Sequence, residues 1–185
     1  MSILSLQHPL LAKYSRWFIW ISLCFILLLA AFLRAGFSEI VEYKRDEANL
    51  SQLSLDMVQN GEIPLLGIGS SVGFPNAPVN VYLLAIPYAV TSSPEFATQF
   101  IGFLNVLAVF GVYVIARRYT NPVIALLIAL VYAISPWSLI FSRKIWAQNM
   151  LPPFVVFAVY TGIVGFLEGR RWAQVTHLPV LAIMG

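Results

Sequence analysis

Residues 17–36 run for twenty positions with a single charge, Arg34, and segments 96–116, 123–140 and 151–167 are just as apolar. Roughly 17 to 25 such residues carry a helix across a hydrocarbon core about 30 Å thick. In lipid every backbone group must be satisfied internally, so runs of this kind leave helix as the only option. The chain is 59% hydrophobic and 10% charged, outside the range of soluble domains. The expected fold is all-α, a polytopic transmembrane helical protein. A fifth run opens near Trp172 and reaches Gly185 with about half a span in hand. The 185 residues therefore read as the N-terminal part of a larger membrane protein.

The net charge of +3 does not point to nucleic acid, because Lys and Arg stand at the ends of apolar runs and form no single patch. Lys13 and Arg16 open the first run as they would a retained signal anchor rather than a cleaved leader. Cys24 is alone, which rules out a disulfide or a thiolate metal site and leaves packing as its expected role.

Topology turns on residues 79–93, which are apolar but only fifteen long, bounded by Pro78 and Pro94 with Pro87 inside. That is short for a crossing and suits a helix lying at the interface. Lys13, Arg16, Arg117, Arg118, Arg170 and Arg171 then share the cytoplasmic side with one acid, Glu168, while seven acids lie outside. If 79–93 crossed, both arginine pairs would move outside, against the positive-inside rule. The favoured arrangement places an outer loop, 37–95, and a smaller one, 137–150, on the same face.

Within the first loop, Asp46 to Val58 reads as a short amphipathic helix, with Asp46, Leu50, Leu53 and Met57 on one stripe and Asn60-Gly61 as its stop. Asp46 and Glu47 suit either first-turn acids favoured by the helix dipole or a catalytic pair. Arg143 and Lys144, among Trp137, Phe141 and Trp146, suit either interfacial anchoring or capture of a lipid-linked phosphate. The glycine-rich stretch 67–75 has no lysine or strand-helix context for phosphate and reads as a surface loop. His8 and His177 are isolated, and Gln99 and Asn105 are expected to bond to neighbouring helices. No Ser-His-Asp set, HExxH, Walker motif or internal repeat is present.

The order Arg34, Asp46-Glu47, a Pro-flanked segment with Tyr82 and Pro87, Arg117-Arg118-Tyr119, a helix ending in Ser135-Pro136 and then Ser142-Arg143 resembles the GT-C membrane glycosyltransferases. That superfamily includes protein O-mannosyltransferases, lipid A aminoarabinose transferases and the catalytic subunit of oligosaccharyltransferase. The pattern is most similar to bacterial families related to protein O-mannosyltransferases. The resemblance implies an N-terminal transmembrane module with juxtamembrane helices in its first outer loop. It implies inverting transfer of a sugar from a polyprenyl-phosphate donor to a lipid, glycan or protein acceptor on the outer membrane face. Asp46 takes the role of catalytic base, with Glu47 orienting the base or the acceptor. Arg34, Arg143, Lys144, Gln148 and Asn149 take substrate-binding roles, Arg143 with Lys144 stabilising the leaving phosphate.

Many relatives carry a second acid shortly after the Ser-Arg, whereas this chain reads Arg143-Lys144-Ile145-Trp146-Ala147-Gln148-Asn149. The resemblance allows a divalent metal, but a hard cation prefers an anionic oxygen that this stretch lacks, so no cofactor is assigned. Two other readings stand open. One is a non-catalytic membrane subunit or assembly factor, which the missing acid favours. The other is a lipid or sugar transporter, which the scarcity of ionisable residues within the spans disfavours.

Overall fold

A computed structural model of the chain describes residues 9–38, 41–69 and 73–184, with side chains from residue 16 onward. His8, the Lys13 side chain and residues 70–72 of the glycine-rich stretch lie outside the described residues. The elements are α1 (Pro9–Ala35), α2 (Arg45–Asn60), α3 (Val79–Tyr88), α4 (Pro94–Tyr119), α5 (Pro122–Ile134) and α6 (Pro136–Phe141). A 3-10 turn (Ala147–Met150) leads to α7 (Pro152–Gly162), extended by a π turn (Ile163–Leu167), and α8 (Arg171–Met184). Among the described residues there is no strand, only an isolated bridge between Gly69 and Pro75. The fold is that of an all-α membrane protein.

Prolines set several starts. Each of α4, α5, α6 and α7 begins on one, where the missing N–H costs no helical bond. Ser93 and Asn121 add side-chain caps, accepting from the amides of Phe96 at 3.2 Å and Ile124 at 3.0 Å. Gly61 and Gly169 close α2 and α7 at φ 73° and 71°, a left-handed backbone open to glycine.

Residues 16–35 of α1 and all of α4 are long and apolar enough to cross a membrane; α5 and the combined α7 and π turn are shorter apolar helices. The helices α1, α4 and α5 pack around Leu23, Ile26, Ala30, Val109, Tyr113, Ala125, Ala129 and Ala133. The alanines let the helix axes approach closely. The opposite face of α1 leaves Trp17, Phe18, Ile21, Phe25, Leu28 and Phe32 exposed, a face suited to lipid. Cys24 lies on an exposed position as well, which corrects the expectation of packing: the buried positions around it are Leu23 and Ile26.

A second core caps one end of this bundle, joining Leu50 of α2, Val81, Leu84 and Tyr88 of α3, Ala97 and Ile101 of α4, and Ile145 and Met150. The helix α3 is ten residues, about 15 Å, and residues near both its ends enter that one cluster. The bundle ends are sorted accordingly. The last turns of α1 and α5 meet through Arg34, and a Cβ on Gly102 near the start of α4 would sit 2.8 Å from the Arg34 carbonyl. At the far end Arg118 and Tyr119 of α4 bond Glu168 after α7.

The segment read as one span, 123–140, is two helices. Ser135 turns out at φ −58° and ψ 122°, the extended backbone favoured before proline, and Pro136 starts α6. Without an N–H at Pro136, the Tyr132 carbonyl loses its helical donor. Arg34 replaces it, donating from Nη2 to Tyr132 O at 3.2 Å and from Nη1 to Ala133 O at 2.7 Å.

Candidate functional site

The cap gathers every residue singled out for chemistry, and most of the cations there are already bonded to protein. Arg34 is 1% exposed and, besides the two carbonyls, donates from Nη2 to Ser138 Oγ at 2.9 Å. Arg143 donates from Nη2 to the Gly36 and Phe37 carbonyls, both at 2.9 Å. Phe37 holds φ 58°, a costly left-handed conformation for a non-glycine residue, and Arg143 fastens that turn from the carbonyl side. Its Nη1 has no acceptor among the described residues.

Lys144 Nζ donates to Glu47 Oε1 at 2.7 Å and Glu42 Oε2 at 3.1 Å, and lies 5.1 Å from the centre of the Trp146 ring. Glu42 also pairs with Lys44. Glu47 is the third residue of α2, and its Oε2 accepts from the Lys44 amide at 3.0 Å, half of a capping box, since a lysine side chain has nothing to accept with. Burial pushes the Glu47 carboxyl up, but Lys144 and the amides of Glu47 and Lys44 outweigh it, so the group lies below the usual carboxylate range. Lys144 is raised, first by Glu47, against a desolvation that lowers it.

The buried face of α2 is thus Glu47, Leu50, Ser51 and Ser54, and Asp46 is exposed. This corrects the stripe Asp46, Leu50, Leu53, Met57. A helix turns 100° per residue, so burying Glu47 rotates Asp46 outward. Asp46 has no side-chain partner among the described residues, and neither has the exposed Gln148. Asn149 is buried, donating to Lys144 O at 3.0 Å and accepting on its own carbonyl from Asn105 at 2.8 Å. Gln99 donates to Ser38 Oγ at 3.2 Å, tying α4 to the α1 exit. His177 is not isolated: its Nδ1 lies 3.1 Å from Thr161 Oγ1, edge-on to Phe166. The glycine-rich stretch is pinned by Gly67 N to Asn76 O at 2.8 Å and Asn76 N to Ile68 O at 2.9 Å. Among the described residues no three His, Cys, Asp or Glu side chains converge as metal ligands do.

Sequence reasoning missed a cavity of about 670 Å³ at the break between α5 and α6, walled by Asn105, Ser135, Ser138, Trp137, Trp146 and Gln148 among others. The Ser135-Pro136 pair was its signal, since a proline inside an apolar run frees carbonyls and opens space.

An all-α membrane protein with Arg34, Asp46, Glu47, Arg143 and Lys144 at one end of the bundle and the Arg118–Glu168 pair at the other is the class that fold and site define. The family model for dolichyl-phosphate-mannose-protein mannosyltransferase matches residues 75–185, more than half of the chain, and the chain belongs to that family. It is a mannosyltransferase-like membrane glycosyltransferase of GT-C type. The matched segment includes Arg143, Lys144, Gln148 and Asn149 and starts after Arg34, Asp46 and Glu47. No curated protein and no solved structure matches the chain.

Proposed function

We propose that the protein transfers a hexosyl group from a polyprenyl-phosphate donor to a hydroxyl of a lipid, glycan or protein acceptor at the outer membrane face, inverting the anomeric carbon. The observation that carries this reading is the division of labour between adjacent acids. Glu47 is buried and bonded to Lys144, which fixes the start of α2 against the loop after α6, while Asp46 keeps an exposed carboxylate with no partner among the described residues. A base must be unoccupied and held in place, and this arrangement supplies both.

In the reaction Asp46 takes the acceptor hydroxyl proton as that oxygen attacks the anomeric carbon. The bond from carbon to the phosphate oxygen breaks, and the phosphate leaves with the electron pair. Arg143 supports the departing charge through Nη1, its Nη2 being committed to the backbone.

The test is transfer of radiolabelled sugar from polyprenyl-phosphate donor in membranes containing the full-length protein. Asp46→Asn keeps the shape of the side chain but cannot take the proton, and should cut transfer by at least about 10²-fold with donor binding retained. Full activity in that variant would reduce the pair to a helix start.

A further inference from the structure

A groove of about 320 Å³ runs along the outside of α4 and α7, walled by Leu107, Phe110, Val114, Val156, Phe157 and Tyr160 among others. At Gly111 an added Cβ would sit 2.6 Å from Val156 Cγ1, so the two helices meet there and the space beside them stays narrow. Apart from the Tyr160 hydroxyl the lining is apolar, and Leu107, Phe110 and Phe157 are exposed.

Toward the arginine end of the bundle the same side of α4 turns cationic. A helix advances about 100° and about 1.5 Å per residue, so Arg117 stands two turns beyond Phe110, and Arg118 two turns beyond Gly111. Arg118 is matched by Glu168, donating from Nε at 2.6 Å, with the Tyr119 hydroxyl as a further donor at 2.6 Å. Arg117 bonds only the Thr120 carbonyl, from Nη1 at 3.3 Å, and the exposed Arg171 has no side-chain partner among the described residues. Beside Arg171, the Trp172 ring lies 6.3 Å from that of Tyr160, the last residue of the groove on α7. Arg170 is exposed as well, and Glu168 is already held by Arg118.

We propose that the groove seats one acyl chain of an anionic phospholipid, whose headgroup is held at the arginine end by Arg117 and Arg171. The two halves of the argument are independent. The apolar slot calls for a hydrocarbon chain, since a helix about 10 Å across could cover it but not enter it. The uncompensated guanidinium groups call for a phosphate without a cation of its own, and basic clusters at the mouths of interhelical grooves are where anionic headgroups bind. A free phosphate would meet only exposed, salt-screened charges. Tyr160 and Trp172, each with an apolar body and a polar tip, suit the boundary between chain and headgroup. The seat takes no part in sugar transfer, whose proposed base lies at the other end of the bundle.

The experiment measures lipid binding to the purified full-length protein in detergent by native mass spectrometry. The probes are dioleoyl phosphatidylglycerol, dioleoyl phosphatidylcholine, glycerophosphoglycerol as the headgroup without chains, and a polyprenyl phosphate. Phosphatidylglycerol should bind about tenfold tighter than phosphatidylcholine, and glycerophosphoglycerol should not displace it. Arg117→Gln with Arg171→Gln should remove that preference, and Leu107→Trp, which adds bulk inside the groove, should weaken phosphatidylglycerol with both arginines intact. All three side chains are exposed, so melting temperatures without added lipid should match the parent. Equal binding of the two phospholipids overturns the proposal, as does a preference that survives the double substitution. Displacement by glycerophosphoglycerol, or an unchanged Leu107→Trp, would reduce the site to a surface patch for phosphate and overturns it too. Polyprenyl phosphate binding should not depend on Arg117 and Arg171; if it falls with phosphatidylglycerol binding in the double variant, the groove holds the donor instead. Asp46→Asn should leave phosphatidylglycerol binding intact, so the failure of the base assignment and the failure of the lipid seat show in different measurements.

Discussion

At the residue scale the difference between Asp46 and Glu47 is one of helical phase. The two stripes share Leu50, and apolar pattern alone favours the one with Leu53 and Met57. The buried stripe instead contains Ser51 and Ser54, and Ser54 is tolerated there because its hydroxyl donates to Leu50 O at 2.9 Å and also reaches Val81 O. Glu47 is admitted because Lys144, almost a hundred residues on, neutralises it, a pairing that no local spacing announces. Lys144→Ala therefore leaves a buried carboxylate unpaired and should destabilise the fold by about 1–3 kcal/mol, read from thermal unfolding in detergent. The pH dependence has a definite sign. The depressed Glu47 carboxyl contributes stability above its unfolded value of about 4.3, lost as pH falls through the folded value. The raised Lys144 contributes below about 10.4, lost as pH rises through its own folded value. Melting temperature against pH should fall on both sides of that window, and Lys144→Ala should flatten both limbs. Unchanged limbs in the variant would show that the pair is not what anchors α2.

At the element scale the readable features were those written in local chemistry. The helix expected from Asp46 to Val58 is Arg45–Asn60, closed by Gly61 as Asn60-Gly61 implied. The apolar run alone carries 123–140 past Ser135, because a proline at the first turn of a helix looks like one inside a longer helix; the helix end at Ser135-Pro136 that belongs to the resemblance is where α5 stops, at Ile134, before Pro136 opens α6. What makes the break tolerable is Arg34, which satisfies carbonyls that lipid cannot. Arg34 was grouped with the substrate-binding cations, and its bonds give it a structural load. Arg34→Ala should cost about 2–4 kcal/mol, two orphaned carbonyls at about 1–3 kcal/mol each with partial relaxation, measured as lost thermal stability. An arginine serving substrate alone would leave stability unchanged on substitution. The approach of α1 to α4 is a second element-scale constraint. A Cβ on Gly102 meets backbone atoms of Arg34, which cannot swing aside as a side chain does. Gly102→Ala should therefore separate the helices at a cost of about 1–3 kcal/mol.

At the scale of the whole molecule, the two ends of the bundle carry opposite chemistry. Glu168 sits between the arginine pairs of α4 and α8, its carboxyl held down to about 2 by Arg118 and then Tyr119. One acid thus draws Arg118 to the segment that leads into Arg170 and Arg171. Asp46, Arg143 and the cavity lie at the other end. The parity of the chain depends on α3, and residues near both its ends enter the same core with Leu50 and Ala97, so the path from α1 to α4 turns back without passing through the bundle. On the positive-inside rule we predict the arginine end in the cytoplasm and the Asp46 end at the outer face. Single cysteines in a Cys24→Ala background test this, since Cys24 lies on an exposed face and its removal leaves the core intact. A cysteine at 46 should react with an impermeant maleimide added to intact cells, and cysteines at 117 and 170 should react only after permeabilisation. Labelling of position 117 from outside would invert the bundle and move the proposed base to the cytoplasmic surface. Labelling of 46 and 117 together from outside would instead mean that α4 does not cross, which its 26 residues and the packing of α1, α4 and α5 argue against.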